Sequence, residues 1–185
     1  MKFISFNHDN SEKFGIIENN LITDLTGKID GASSLKELIK IKKIKEAKEY
    51  AKSNPGSIKP DEIKYSPLIP NPGKIICVGL NYSEHVKETN RTVEENPVIF
   101  HRFPESQTAH MQAIQRPTVS ESLDFEGEMA VIMDEGGKHI KPEDALKHIV
   151  GFSCYNESTI REWQRHTRQF GMGKNFEKTG SFGPH

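Results

Sequence analysis

The chain has 185 residues, 34% of them hydrophobic and 28% charged, which is long enough for one domain or for a small domain with an appendage. Its 25 Lys and Arg nearly balance 26 Asp and Glu, leaving a net charge of -1, which argues against a nucleic-acid partner held by phosphate neutralisation. No stretch has the apolar length of a bilayer span, and residues 1–8 lack the apolar segment of a secretory signal; the expected setting is cytoplasmic, with no membrane partner.

In chain order, residues 2–6 read as a strand followed by the polar turn Asn7-His8-Asp9-Asn10. Residues 14–17 and 21–25 read as two more strands, joined through Asn19-Asn20. Ser34 offers a helix N-cap with Glu37 as capping-box partner, and Leu35, Leu38 and Ile39 follow at helical spacing. Lys40, Lys42, Lys43, Lys45 and Lys48 alternate with Glu46 and Glu49, the pattern of a solvated helix face. Between Ser53 and Gly73 periodicity disappears among Pro55, Gly56, Pro60, Pro67, Pro70 and Pro72, so a boundary is expected there: a small N-terminal domain and linker over 1–68, and the main domain over 69–185.

The main domain opens with a buried strand, residues 74–79, and a helix start near Ser83 carrying His85 and Glu88. Residues 97–100 form another strand candidate, and 103–120 a loop. The best strand covers 125–133, residues 142–149 suggest a short helix with Pro142 at its start, 150–155 a strand, and 161–168 a charged helix with Trp163. Cys77 and Cys154 sit in apolar runs and read as buried, reduced thiols.

The segment Leu123-Asp124-Phe125-Glu126-Gly127-Glu128-Met129-Ala130-Val131 carries the most chemistry. In one strand, Asp124, Glu126 and Glu128 share a face, while Phe125, Met129 and Val131 occupy the other and can pack. Three unpaired carboxylates are costly to bury, and a bound cation removes that cost. The bland alternative is a solvated acidic face. Glu157, at a strand-to-helix junction, adds a third candidate ligand; an all-oxygen set of Glu126, Glu128 and Glu157 suits Mg²⁺ or Mn²⁺, with Ca²⁺ also chemically admissible, and disfavours zinc. His85 and Glu88, three apart, can form a general acid–base pair, although an isolated pair of this kind is more often an exposed His beside a chance Glu.

These residues together resemble the fumarylacetoacetate hydrolase family, in particular bacterial members acting on 2-oxo acids and acylpyruvates. The resemblance runs from about Lys74 onward, through Lys74-Ile75-Ile76-Cys77-Val78-Gly79-Leu80-Asn81-Tyr82, His85 and Glu88, Leu123 to Glu128, Asn156-Glu157 with Arg161 and Gln164, Gly173-Lys174-Asn175-Phe176, Gly180 and Gly183-Pro184. It implies an α+β fold: a β-rich roll of mixed sheets with a small N-terminal α+β domain, usually a homodimer. It also implies Glu126, Glu128 and Glu157 as ligands of Mg²⁺ or Mn²⁺, and His85 and Glu88 as the water-activating dyad. Lys174 would stabilise developing negative charge, with Gln164, Arg161 and Tyr82 at the substrate. Glu157 stands where many members have Asp, and Thr108-Ala109-His110-Met111-Gln112 is poorer in glycine than the family loop.

The implied activity is hydrolysis of a C–C bond in a 2-oxo or 1,3-dicarbonyl acid. The alternatives are isomerase, hydratase or decarboxylase chemistry on similar acids, or a non-catalytic, truncated metal-binding remnant. Family members continue beyond the Gly-Pro, so the core of this chain is expected to lack strands and to expose apolar surface. The expected consequence is a compensating oligomer or reduced stability; a compact, heat-resistant monomer in small-angle scattering and thermal melting would contradict it.

Overall fold

The computed structural model describes residues 1–82 and 96–185. Its leading sheet grows from two tight reversals. Asp9 and Asn10, then Asn19 and Asn20, all take left-handed backbone, with φ of 53, 57, 50 and 60°. Paired left-handed residues make the hairpin turn whose twist suits the flanking strands, and after glycine Asn and Asp enter that region most cheaply. β1 (Lys2–His8), β2 (Ser11–Glu18) and β3 (Leu21–Asp24) therefore run antiparallel, with β4 (Lys64–Tyr65) added beside β1, in the order β3-β2-β1-β4.

Both faces of this sheet are covered. Ile4, Phe6 and Ile22 pack beneath Ile58, Ile63 and Tyr65 on one side. Phe14, Ile16 and Leu25 on the other meet α1 (Leu35–Lys40) and α2 (Ile44–Ser53) through Leu35, Leu38, Ile39, Ala47 and Ala51. Ser34 caps α1 as its sequence position predicts, its Oγ accepting from the Glu37 N–H at 3.2 Å. The Glu37 carboxylate, however, accepts from the Ser33 N–H at 2.8 Å instead of closing the box on Ser34. The lysine-rich stretch is paired in solvent: Lys43 with Glu46 at 3.3 Å, Lys45 with Glu49 at 3.9 Å.

The same hydrophobic cluster continues past the proline-rich stretch to Leu68, Ile132, Tyr155 and Phe182. Leu68 is stitched on both sides: its N–H donates to Phe182 O at 3.3 Å, and its carbonyl accepts from Ser5 Oγ at 2.7 Å. The leading sheet is thus packed against the sheet that follows, in one continuous core.

That second sheet has the order β7-β12-β10-β9, built from β7 (Gln107–Ala109), β9 (Gly127–Met133), β10 (Ile149–Glu157) and β12 (Gly180–Phe182). β9, β10 and β12 pair antiparallel, whereas β12 and β7 are parallel, so the sheet is mixed. Two short ladders flank it: β5 (Ile75–Gly79) with β6 (Val98–Arg102), and β8 (Leu123–Asp124) with β11 (Thr159–Ile160). Mixed sheets with few, brief helices make the fold α+β, as expected.

The expected helix over 142–149 is a 3-10 turn, Pro142–His148, entered through Pro142. The expected helix over 161–168 stops early, as α3 (Arg161–Gln164), followed by α4 (Gly171–Lys174). Thr167 Oγ1 accepts from the Gln169 N–H at 3.0 Å, a local bond that competes with helix continuation. Two packing expectations are corrected. Strand register turns Ala130 and Ile132 of β9, with Ser153 and Tyr155 of β10, toward the core; Met129 and Val131 point outward and are exposed, as is Phe125 before the strand. Cys154 falls on that outward face opposite Met129, so it is an exposed thiol; Cys77 is half-buried, and both are free.

In the leading sheet, Asp24 accepts from Lys13 Nζ and from the Thr26 N–H, each at 2.8 Å. Burial would raise its pKa, but these hydrogen bonds prevail and lower it below 3.8. Its contribution to stability is therefore present above that value and lost as pH falls through the lower, folded one. Asp24→Asn should cost stability at pH 6, on the order of 1 kcal/mol for a partly buried, solvent-screened pair, and less at pH 3. Urea melts at the two pH values measure the difference.

Candidate metal centre

The site begins with backbone register. In the β9–β10 ladder Glu128 lies opposite Tyr155 and Gly127 opposite Asn156. One step further, the Glu157 N–H donates to Glu126 O at 2.8 Å. Directly opposed residues share a face, so Glu126, Glu128 and Glu157 emerge together at the end of the core-facing side. Oxygens of the three carboxylates lie within 4.8 Å of one another.

Asp124 does not join them. The strand expected over this stretch breaks between Asp124 and Gly127, where the Glu126 N–H donates to the Asn156 side-chain carbonyl at 3.2 Å instead of to a ladder partner. Asp124 instead receives Arg161, Nε at 2.8 Å and Nη2 at 2.7 Å.

Cations close over the cluster from the α3–α4 side. Lys174, only 2% exposed, places Nζ 2.7 Å from Glu126 Oε2 and 3.3 Å from Glu157 Oε2, and 5.0 Å from the centroid of the Phe100 ring. Gly173 makes this approach possible: a Cβ there would lie 2.6 Å from Ile160 O and 2.5 Å from Gln164 N. Arg161 Nη1 reaches Glu126 Oε1 at 2.6 Å and Gln164 Oε1 at 3.0 Å, and Thr159 Oγ1 donates to the same Glu126 oxygen at 3.0 Å. Tyr82, half-exposed, lies beside Glu128, and this carboxylate together with burial raises its phenol pKa. Among the described residues no Lys or Arg pairs with Glu128.

The carboxylates are therefore not equivalent. For Glu126, burial is outweighed by the charge and hydrogen bond of Lys174, with Arg161 and Thr159 adding, and its pKa is lowered. For Glu157 burial prevails over Lys174 and Arg102, Glu126 adds repulsion, and its pKa is raised. Glu157 Oε1 is buried without a hydrogen-bond partner among the described residues; Arg102 Nη1 stands 3.6 Å away, near enough to attract but too far to bond. Burial also pushes the neighbouring Cys77 thiol up to about 12, with the Glu157 charge adding to the rise.

Of the residues singled out from sequence, Glu126, Glu128, Glu157, Lys174, Arg161, Gln164 and Tyr82 are assembled in one place. His85 and Glu88 lie outside the described residues. Thr159 and Arg102 belong to the assembly without having been singled out. Thr159 follows the acidic junction by two residues, the same-face spacing of a strand. Arg102 sits two after Phe100 on β6, whose inward positions face this cleft; that alternation is the signal that could have revealed it.

Residues 74–185 match the family model described as fumarylacetoacetate (FAA) hydrolase C-terminal. The chain belongs to the fumarylacetoacetate hydrolase family. The mitochondrial oxaloacetate tautomerase Fahd2a of Rattus norvegicus is 37% identical over 124 residues, 66% of this chain and 40% of that protein. The fumarylacetoacetate hydrolase of psychrophilic Exiguobacterium antarcticum superposes over 100% of this chain and 65% of its own, with a TM-score of 0.84 and 30% identity. A maleylpyruvate hydrolase of Sphingobium sp. SYK-6, solved with manganese(II) and pyruvate, shares the fold at 19% identity and a TM-score of 0.77, over 100% of this chain and 66% of its own. The chain thus spans about 40% of the length of the curated relatives it matches and about two thirds of the solved ones.

The two thiols of this family member should differ in reactivity. Exposed Cys154 should react promptly with a disulfide reagent at pH 8, and half-buried Cys77 at least about tenfold more slowly. Thiol titration of the native chain and of Cys154→Ser measures both rates, and equal rates would contradict the burial of Cys77.

Proposed function

We propose that this chain is a divalent-metal-dependent enzyme acting on a small 2-oxo or 1,3-dicarbonyl acid, with C–C bond hydrolysis as the reaction. The observation that carries the reading is the convergence of Glu126, Glu128 and Glu157 within 4.8 Å, beside the buried ammonium of Lys174. The donor set fits a hard cation: three carboxylates, all oxygen, one of them with a buried and unsatisfied Oε1. Mg²⁺ or Mn²⁺ bound there would supply Lewis-acid polarisation of a substrate carbonyl.

The chain's own residues supply the rest. Lys174, already held by Glu126 and Glu157, offers a fixed positive charge to an oxygen that gains negative charge during the reaction. Arg161 and Gln164, hydrogen-bonded to each other, and Tyr82 at Glu128 form the rim where an acid substrate would be oriented. His85 and Glu88 enter through the family resemblance as the pair that activates water or moves a proton. A homodimer and a cytoplasmic setting belong to the same proposal.

A second reading, keto–enol tautomerisation of a 2-oxo diacid, is favoured by the oxaloacetate tautomerases among the relatives. The two reactions share a polarised carbonyl and a proton transfer and differ in whether water attacks a carbon. Purified chain should show Mn²⁺- or Mg²⁺-dependent loss of acylpyruvate absorbance, with kcat reduced on the order of 10²-fold or more in Glu128→Gln. Turnover of oxaloacetate enol without acylpyruvate cleavage would select the second reading. Metal uptake with no turnover of either acid would leave a metal-binding remnant and refute the enzyme.

A further inference from the structure

Arg102 is a fully buried cation set behind the carboxylate cluster. Its side chain has no exposed surface, yet among the described residues it makes no hydrogen bond to a carboxylate. The guanidinium instead spreads over three neutral acceptors: Nε donates to Ser106 Oγ at 3.2 Å, Nη1 to Ser158 O at 3.3 Å and Nη2 to Thr179 Oγ1 at 2.7 Å. Tyr155 lies beneath it, with its ring centroid 5.8 Å from Cζ. Gly180 leaves the space for both: a Cβ there would lie 2.9 Å from Nη2 and would overlap the Tyr155 hydroxyl.

These anchors surround Glu157 in sequence and in space. Ser158 follows it directly, Tyr155 precedes it by two, and Gly180 is its ladder partner on β12. The guanidinium therefore braces the end of β10 from the far side of the carboxylate cluster. At 3.6 Å from Glu157 Oε1 it stops short of a hydrogen bond, so among the described residues that oxygen has no donor. A planar fork satisfied by three fixed acceptors holds a single orientation, which a flexible ammonium cannot reproduce.

We propose that Arg102 is a positioning residue for Glu157. It fixes the end of β10 so that the Glu157 carboxylate stays within reach of Glu126 and Glu128, with one oxygen free to accept a divalent cation. The inference rests on reading the three glutamates as metal ligands. Outer residues that orient ligands in this way govern metal affinity by roughly 10- to 100-fold. A purely structural brace between β6 and β12 would affect stability and leave affinity alone.

The test is Mn²⁺ binding to the full chain, by titration calorimetry and by the electron paramagnetic resonance signal of free Mn²⁺, alongside thermal melting. Arg102→Lys retains the charge and loses the fork. Thr179→Val retains the fork and removes one acceptor. Mn²⁺ affinity is expected to fall about 10- to 100-fold in Arg102→Lys, and by a smaller factor in Thr179→Val. Wild-type affinity in a folded Arg102→Lys overturns the proposal. If that variant does not fold, unchanged affinity in folded Thr179→Val overturns it equally. Glu128→Gln separates the layers: if the wild type takes up no Mn²⁺, or Glu128→Gln binds as well as the wild type, the ligand reading fails and this inference with it. Loss of binding in Glu128→Gln, with unchanged affinity in Arg102→Lys and Thr179→Val, removes only the role of Arg102.

Discussion

The register of β9 against β10 sets both the core and the site. Along the inward side of this ladder run Ile132, Ala130 and Glu128, and opposite them Gly151, Ser153 and Tyr155, with Glu126 meeting Glu157 at its end. Ile132 and Tyr155 join the core shared with the leading sheet. A slip of one residue would turn them to solvent, carry Met129 and Cys154 inward and scatter the glutamates. The packing that stabilises the sheet is thus the same interaction that makes the three carboxylates converge, which explains how acidic groups can be held in a place they would otherwise avoid.

Convergence alone would be repulsive, and the surrounding residues show how the repulsion is managed. Lys174 bridges Glu126 and Glu157, Arg161 holds Glu126 and Asp124, and Arg102 stands behind Glu157 without bonding to it. The balance is uneven. Glu126 is well compensated, Glu157 is strained by burial, and Glu128 has a neutral phenol for company. Such a graded environment separates carboxylates of identical chemistry into different roles. The close approaches that allow it depend on Gly173 and Gly180, where any side chain would push Lys174 or Arg102 out of place.

The leading sheet adds stiffness. Its Phe14–Ile16 face, α1, α2 and Leu68 form the other half of the core beneath Tyr155 and Phe182, so β10 is buttressed along its inward face. Its outward face is different. Met129, Val131, Met133 and Phe152 lie in adjacent register and are exposed. Contiguous apolar surface of this kind marks a contact surface more often than a solvent face.

Much of the local architecture was legible residue by residue. The Asp9-Asn10 and Asn19-Asn20 turns, the Ser34 cap and the strands of the leading sheet follow from side-chain chemistry within a few positions. The carboxylates at 126, 128 and 157 and the lysine at 174 could likewise be singled out, because motif spacing survives in the linear chain. Their meeting could not. Glu157 Oε1 without a partner among the described residues, Asp124 diverted to Arg161, and Arg102 buried behind the cluster depend on contacts between residues from 30 to 77 positions apart in the chain. Nor could alternation alone say which face of β9 was the core, since Met129 and Val131 are as apolar as Ala130 and Ile132. Local side-chain chemistry was enough to set the turns, the strand periods and the types of candidate ligand. Tertiary packing decided which face was buried, and so where the charges met, because burial is a property of what covers a strand and not of the strand.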